Sequence, residues 1–471
     1  AVLKSDDVHL FSDRLECASV AAIEHDSDEE IDLVIGLDFG TTYCKIVLQE
    51  QGSGRAWAIP FSADSDNPYL LCTKVWKADH TYSLSHSGVS KGNLKMALFS
   101  EQASHDDVIN AAAFVGLVLR HVKGWFWQHK SMEFPRMSPF WFAHMGLPAR
   151  DFDNRLLTRK FRQVLWAGML LAERAGSQIH ESDVRECLSA VDHALTARLK
   201  EVALPQFGAL HLDQVSLYPE IASQIYGYLK SDLHDPSQDT FMLVDVGGGT
   251  VDAALFKVVE SDEGETQFVF RGAAVERLGV YMLHRQRIEW HIQQIAHTGR
   301  HRPLVAQLQD LLDRSAIPTQ VPGSIEDYIA GVRYPEETCD RGFCNAFGAM
   351  LYDNVVLSAR NRVGNAVEPG RRLQFLLCGG GRSVGLYQQF VERINSPKSS
   401  TQLRLHRVEI DRPAQLEPRS LGKSEYHRLS VAYGLSFLDI GEVITPENLP
   451  PPPPRATAAD HYGTYISQEM V

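Results

Sequence analysis

A chain of 471 residues with 44% hydrophobic and 22% charged residues has the composition of a soluble globular protein, long enough for two or three domains with cores of their own. Its formal net charge of −13 disfavours nonspecific attraction to nucleic acid or anionic lipid, and no apolar run reaches the roughly 20 residues of a membrane helix. Seven scattered cysteines without a CxxC pair exclude a disulfide framework, and with no signal-peptide pattern at the start they predict a cytoplasmic protein.

In chain order, residues 1–30 contain the acidic run EHDSDEE and are expected to form a solvated, flexible arm. IDLVIGLDFGTTYCKIVLQE, residues 31–50, follows as two apolar strands around a turn that holds Asp38, Gly40, Thr41 and Thr42. TKVWKA reads as a further strand, and SKGNLKMALF carries Lys91 and Lys95. Residues 110–130 and 153–176 show apolar side chains at spacings of three and four, which predicts amphipathic helices. FMLVDVGGGTVDAALFKV, residues 241–258, then repeats the plan of the opening hairpin with Asp245, Gly247, Gly248, Gly249, Thr250 and Asp252. The third glycine turn, Gly379-Gly380-Gly381-Arg382, lies between a buried-strand run and an amphipathic helix in residues 373–394. LPPPPP, residues 449–454, cannot continue a helix or a central strand, so the folded body is expected to end near Ile440. Alternating strand and helix signals give an α/β architecture.

The residue types in these turns belong to one chemistry. Glycines let several backbone amides approach one anion, and threonine hydroxyls add donors. Carboxylates repel phosphate unless a cation lies between, so Asp38, Asp245 and Asp252 point to Mg2+ held partly through water. A duplicated hairpin, separated by about half the chain, implies two facing lobes that share one nucleotide triphosphate. No G-x-x-x-x-G-K-[ST] or complete dinucleotide fingerprint occurs.

In this order the motifs resemble the nucleotide-binding domain of the 70-kDa heat-shock proteins, within the actin-like ATPase superfamily. DFGTT at 38–42 looks like the first phosphate loop, DVGGGTVD at 245–252 like the second, and CGGGRS at 378–383 like the adenosine loop. GLPARDFDN, with Pro148 at the place of the family's switch proline, and RLSVAYGLSFL, residues 428–438, also fit. The resemblance implies duplicated ribonuclease-H-like domains with a nucleotide cleft between them. Lobe I would span 31–239, lobe II 240–425, and a closing helix 426–440 would return to lobe I before a proline-rich tail, 441–471. ATP or ADP with Mg2+ would be bound by Gly40, Thr41, Thr42, Gly247 to Thr250, Gly379, Gly380, Gly381 and Arg382, with Asp38 and Asp245 nearest the metal. Lys91, with Lys95 as its alternative, would contact phosphate, and Glu220 and Asp252 would serve hydrolysis.

The chain also departs from the family pattern. Tyr218-Pro219 stands where the family has glutamate-proline, leaving Glu220 as the substitute, and Leu278-Gly279-Val280 replaces a double glycine. Some 30 residues follow Ile440, so a self-contained peptide clamp is not expected. The leading expectation is a slowly hydrolysing heat-shock 70-like ATPase that acts as a nucleotide-dependent switch or chaperone-like regulator of a protein partner. The alternatives are an actin-like filament or complex subunit, a nucleotide-binding pseudoenzyme, and a small-molecule kinase. The sequence leaves the partner and the oligomeric state open.

Overall fold

A computed structural model describes residues 29–444, except 63–66, 86–87, 101, 135–136, 175, 232, 263, 299–302, 314–320, 330–337, 364–371 and 397–403. The acidic stretch before Glu29, the proline run 449–454 and four of the six residues of HTGRHR lie outside the described residues. The chain is mixed α/β, and among the described residues no helix is long and apolar enough to cross a membrane.

The first sheet is organised around β1 (Glu29–Phe39), which pairs antiparallel with β2 (Tyr43–Glu50) on one side and parallel with β3 (Met137–Leu147) on the other. The edge strand β4 (Val215–Pro219) lies parallel to β3. The second sheet repeats this plan. Its β5 (Thr240–Val246) pairs antiparallel with β6 (Val251–Glu260) and parallel with β8 (Arg372–Cys378), and β7 (Thr266–Glu276) extends the β6 side. The strand Arg404–Val408 then lies parallel to β8, as β4 does to β3. The duplication expected from the two hairpins therefore extends to strand order and direction.

Strand alternation explains how the layers form. Leu33, Ile35, Leu37 and Phe39 enter one apolar core with the helices His105–His129 and Arg155–Leu171. The first of these helices starts on a capping box made by Ser104 and Asp107. On the other face lie α1 (Glu220–Leu229) and α2 (Lys423–Leu435), which share a core with Val47 and Ala58 of the first sheet and with Leu243 and Phe256 of the second. The two helices thus pack between the sheets. A third core, with Leu255, Phe347, Phe375 and Tyr387, covers the far face of the second sheet.

Close approach of α2 depends on small residues. A Cβ at Gly36 of β1 would fall 2.0 Å from the Ala432 oxygen, and one at Gly434 would fall 1.8 Å from the Ser223 oxygen of α1. Backbone cannot yield as a side-chain tip can, so Gly434→Ala is expected to lower stability by about 2 kcal/mol, read from the midpoint of urea unfolding.

Two expected boundaries shift. Glu29 and Glu30 of the acidic run belong to β1, where they pair with Met137 and Ser138 and leave their side chains exposed. Past Ile440, the strand Glu442–Ile444 adds in parallel to β7, so the fold continues a few residues into the expected tail.

Candidate functional site

A cavity of about 880 Å3 opens where the two sheets face one another. It is built from loops that follow the carboxyl ends of strands: Gly40–Thr42 after β1, Pro148 after β3, Glu220 after β4, Gly247–Thr250 after β5 and Gly379–Gly381 after β8. Open α/β sheets place ligands at such ends. The hairpins meet across the cavity, since a Cβ at Gly248 would lie 2.8 Å from the Thr42 hydroxyl. In the third turn Gly379 has φ +81°, and a Cβ there would strike the Asp245 carboxylate at 2.1 Å, so only glycine fits.

The hairpins carry their charges in matching register. Asp38 pairs across β1 and β2 with Lys45, and Asp245 pairs across β5 and β6 with Asp252. In the first hairpin the Lys45 ammonium donates to Asp38 at 2.7 Å. In the second, two carboxylates face one another, and among the described residues neither forms an ion pair. Burial pushes the Asp245 carboxyl up to about 7, and the neighbouring Glu220 and Asp38 add to the rise. Asp252 is raised well above the carboxylate range by burial, Glu220 and Asp245. Gln224 donates to Asp245 at 2.9 Å.

Glu220 is the first residue of α1, after Pro219, a common arrangement at a helix start. Its carboxylate has room because Gly146 stands opposite Tyr218 in β3, where a Cβ would meet the Glu220 Cγ at 2.6 Å. There it accepts a 2.6 Å hydrogen bond from Lys95, and both side chains are buried. Burial alone would lower the Lys95 pKa, but Glu220, Asp38 and Asp252 outweigh it and hold the ammonium above its usual value. Tyr218 instead lines a second cavity of about 340 Å3 beside Arg162 and Trp166.

Nearly all residues singled out from the sequence line the large cavity: Asp38, Gly40, Thr41, Thr42, Glu220, Asp245, Gly247 to Thr250, Asp252 and Gly379 to Gly381. Lys91 and Arg382 do not. Lys91 sits on the strand Val89–Lys91, opposite Val75, whereas Lys95, on the helix Leu94–Phe99, faces the cavity. Arg382 pairs with Glu409 at 3.1 Å, and its neighbour Ser383 reaches the cavity. Lys91→Ala is therefore expected to leave stability unchanged within about 0.5 kcal/mol, checked by thermal unfolding.

Sequence reading missed Lys45, Gln224, His427 and Arg428, all of which line the cavity. Lys45 had a signal: it stands seven residues after Asp38, as Asp252 stands seven after Asp245. His427 and Arg428 enter from α2 and had none beyond helical periodicity. Burial, with Arg382 nearby, pushes His427 down to about 4, so its imidazole is neutral. Cys44, beside the first turn, is fully buried, and burial raises its thiol, as suits a packed side chain.

The cavity has a polar complement that protein groups leave unfilled. Among the described residues, eight buried side-chain polar atoms have no hydrogen-bond partner. Five belong to cavity residues: Thr42 Oγ1, Gln224 Oε1, Asp252 Oδ1 and both ring nitrogens of His427. Such atoms are costly without a ligand or water. Among the described residues no three His, Cys, Asp or Glu side chains converge as a ready metal cage. Mg2+ fits the donor set without one, because it binds through one or two carboxylates, waters and substrate phosphates. No family model and no curated protein matches this chain.

Proposed function

We propose that this chain is an ATP-binding, slowly ATP-hydrolysing protein with the two-lobed actin-like ATPase fold, heat-shock 70-like in its site, acting as a nucleotide-dependent switch on a protein partner. The observation that carries the reading is the convergence of two hairpins of identical plan, Asp38–Lys45 and Asp245–Asp252, on one cavity. Amides of Gly40–Thr42 and Gly247–Thr250 would bind the polyphosphate, with the Thr42 hydroxyl as a further donor. Asp38 and Asp245 would hold Mg2+, whose chemistry there is to neutralise charge on the phosphates. Lys95 supplies a cation at the Glu220 end, and Glu220 accepts a proton or orients a water at its carboxylate. The Gly379–Gly381 turn, with Val384, Val431 and His427, offers a partly apolar wall for the nucleoside. Because the hairpins belong to different sheets, occupancy of the site couples to how closely the sheets approach, which is the basis of a switch.

Gly248→Val tests the placement, since its branched side chain would occupy the space between the hairpins. Magnesium-ATP affinity is expected to fall by about 100-fold or more, roughly 3 kcal/mol, while the ligand-free protein loses some stability as Thr42 gives way but still unfolds cooperatively. Unchanged affinity would remove the polyphosphate from this place. A second reading, a nucleotide-binding pseudoenzyme, is favoured by Tyr218 facing the smaller cavity. Release of phosphate by purified protein without any added acceptor separates the two and also argues against a kinase.

A further inference from the structure

Of the basic side chains that line the cavity, Lys45, Lys95, Arg277 and Arg428, the two lysines are each held by a carboxylate, Asp38 at 2.7 Å and Glu220 at 2.6 Å. The other pair of carboxylates, Asp245 and Asp252, stands in register without such a partner, and Asp252 Oδ1 is buried and unpaired. Lys45 occupies in the first hairpin the place that Asp252 occupies in the second. We propose that Lys45 and Lys95 are exchangeable internal counter-ions. An arriving polyphosphate draws the two ammonium groups onto its oxygens, and Asp38 and Glu220, thus released, complete the acidic host for a divalent cation. The inference rests on the cavity being a polyphosphate site, and it adds that polyphosphate and cation enter as a mutually dependent pair.

The physical reasons are charge and reach. A divalent cation alone meets Lys45 directly on Asp38, so it must displace an ammonium into a cavity that offers no other anion to receive it except the remaining carboxylates. A polyphosphate alone meets six acidic side chains, Asp38, Asp151, Glu220, Asp245, Asp252 and Glu276, against Lys45, Lys95, Arg277 and Arg428, and the two lysines among these are already engaged. Together the ligands supply what each lacks. Lysine suits the exchange because its ammonium is a point charge on a flexible stem, and the Lys45 side chain keeps 18% of its surface exposed, which leaves it room to move. A fixed structural ion pair leaves only the coupling that arises from phosphate oxygens binding the cation directly, which Lys45→Met would not alter.

The test uses the full-length chain with Mn2+ as the cation, read as free Mn2+ by electron paramagnetic resonance, and with ATP in the presence and absence of a chelator. In the wild type each ligand is expected to tighten the other by about 30-fold, and the two couplings must agree because linkage is reciprocal. Lys45→Met, which frees Asp38, is expected to strengthen binding of Mn2+ alone by about tenfold and to shrink the coupling by the same factor. Asp38→Asn, which frees Lys45, is expected to strengthen binding of cation-free ATP. Lys91→Met serves as a control outside the cavity. Wild-type binding of Mn2+ with ATP, but no gain of Mn2+ affinity in Lys45→Met, overturns the exchange and leaves the nucleotide reading standing. If Lys45→Met does not fold, weaker cation-free ATP binding by Asp38→Asn overturns the exchange by itself. Failure of the wild type to bind Mn2+ and ATP in any combination overturns both.

Discussion

Asp245→Asn is expected to make the ligand-free protein more stable at pH 8, by about 2 kcal/mol, and at the same time to weaken magnesium-ATP binding by about 100-fold. The stability effect follows from the raised carboxyl. Burial, with Glu220 and Asp38 close by, lifts Asp245 to about 7 in the folded chain, against roughly 3.9 in an unfolded one. Below pH 4 the carboxyl is protonated in both states and costs nothing. Between 4 and 7 the unfolded chain loses the proton that the folded chain keeps, so the wild type loses stability as pH rises, and above 7 the penalty is complete. Asparagine cannot ionise, and it retains an oxygen for the Gln224 donor that now reaches Asp245 at 2.9 Å. Urea unfolding at pH 4, 6 and 8 should show the two proteins diverging as pH rises. Parallel curves would mean that Asp245 is relieved by something other than a bound cation. Sites evolved to bind charge are commonly less stable than their neutralised variants.

The second large effect concerns the buried pair. Lys95→Met removes the ammonium from Glu220 and is expected to cost about 3 kcal/mol, because a buried carboxylate is left without its counter-ion. Glu220→Gln should cost a similar amount by stranding Lys95. The double variant should recover much of the loss, since replacing both members of a buried pair is often close to neutral. Magnesium-ATP affinity and phosphate release should fall in all three, because stability and function are read from the same two side chains by different measurements. A double-mutant cycle with additive losses would show that Lys95 and Glu220 do not depend on one another.

The parts of the site that were legible in the sequence are those in which a local rule and a ligand demand the same residues. A strand, an aspartate and a glycine-threonine turn can be recognised without tertiary information, and each of the three glycine turns lines the cavity. Direction was harder. Lys91 and Lys95 are four residues apart in a short stretch where a strand ends and a helix begins. The chain changes course at Asn93, which sits in the left-handed region at φ 59°, and that change decides which lysine faces inward. No periodicity spans such a corner. Similarly, Tyr218 and Glu220 are only two residues apart, yet a strand ends and a helix starts between them, so they line different cavities. His427 and Arg428 join the site only because α2 packs against α1 and β1 at glycines, a long-range consequence that no local window contains. The sequence register of the duplicated hairpins, by contrast, does point to Lys45, which follows Asp38 by the same seven residues as Asp252 follows Asp245.

The most direct measurement is a crystal structure of the chain grown with Mg2+ and a non-hydrolysable ATP analogue. The polyphosphate is predicted to lie between residues 40–42 and 247–250, with the nucleoside against the Gly379–Gly381 turn. An analogue bound elsewhere, or a cavity still closed to it at millimolar concentration, would contradict the assignment of this cleft to a nucleotide.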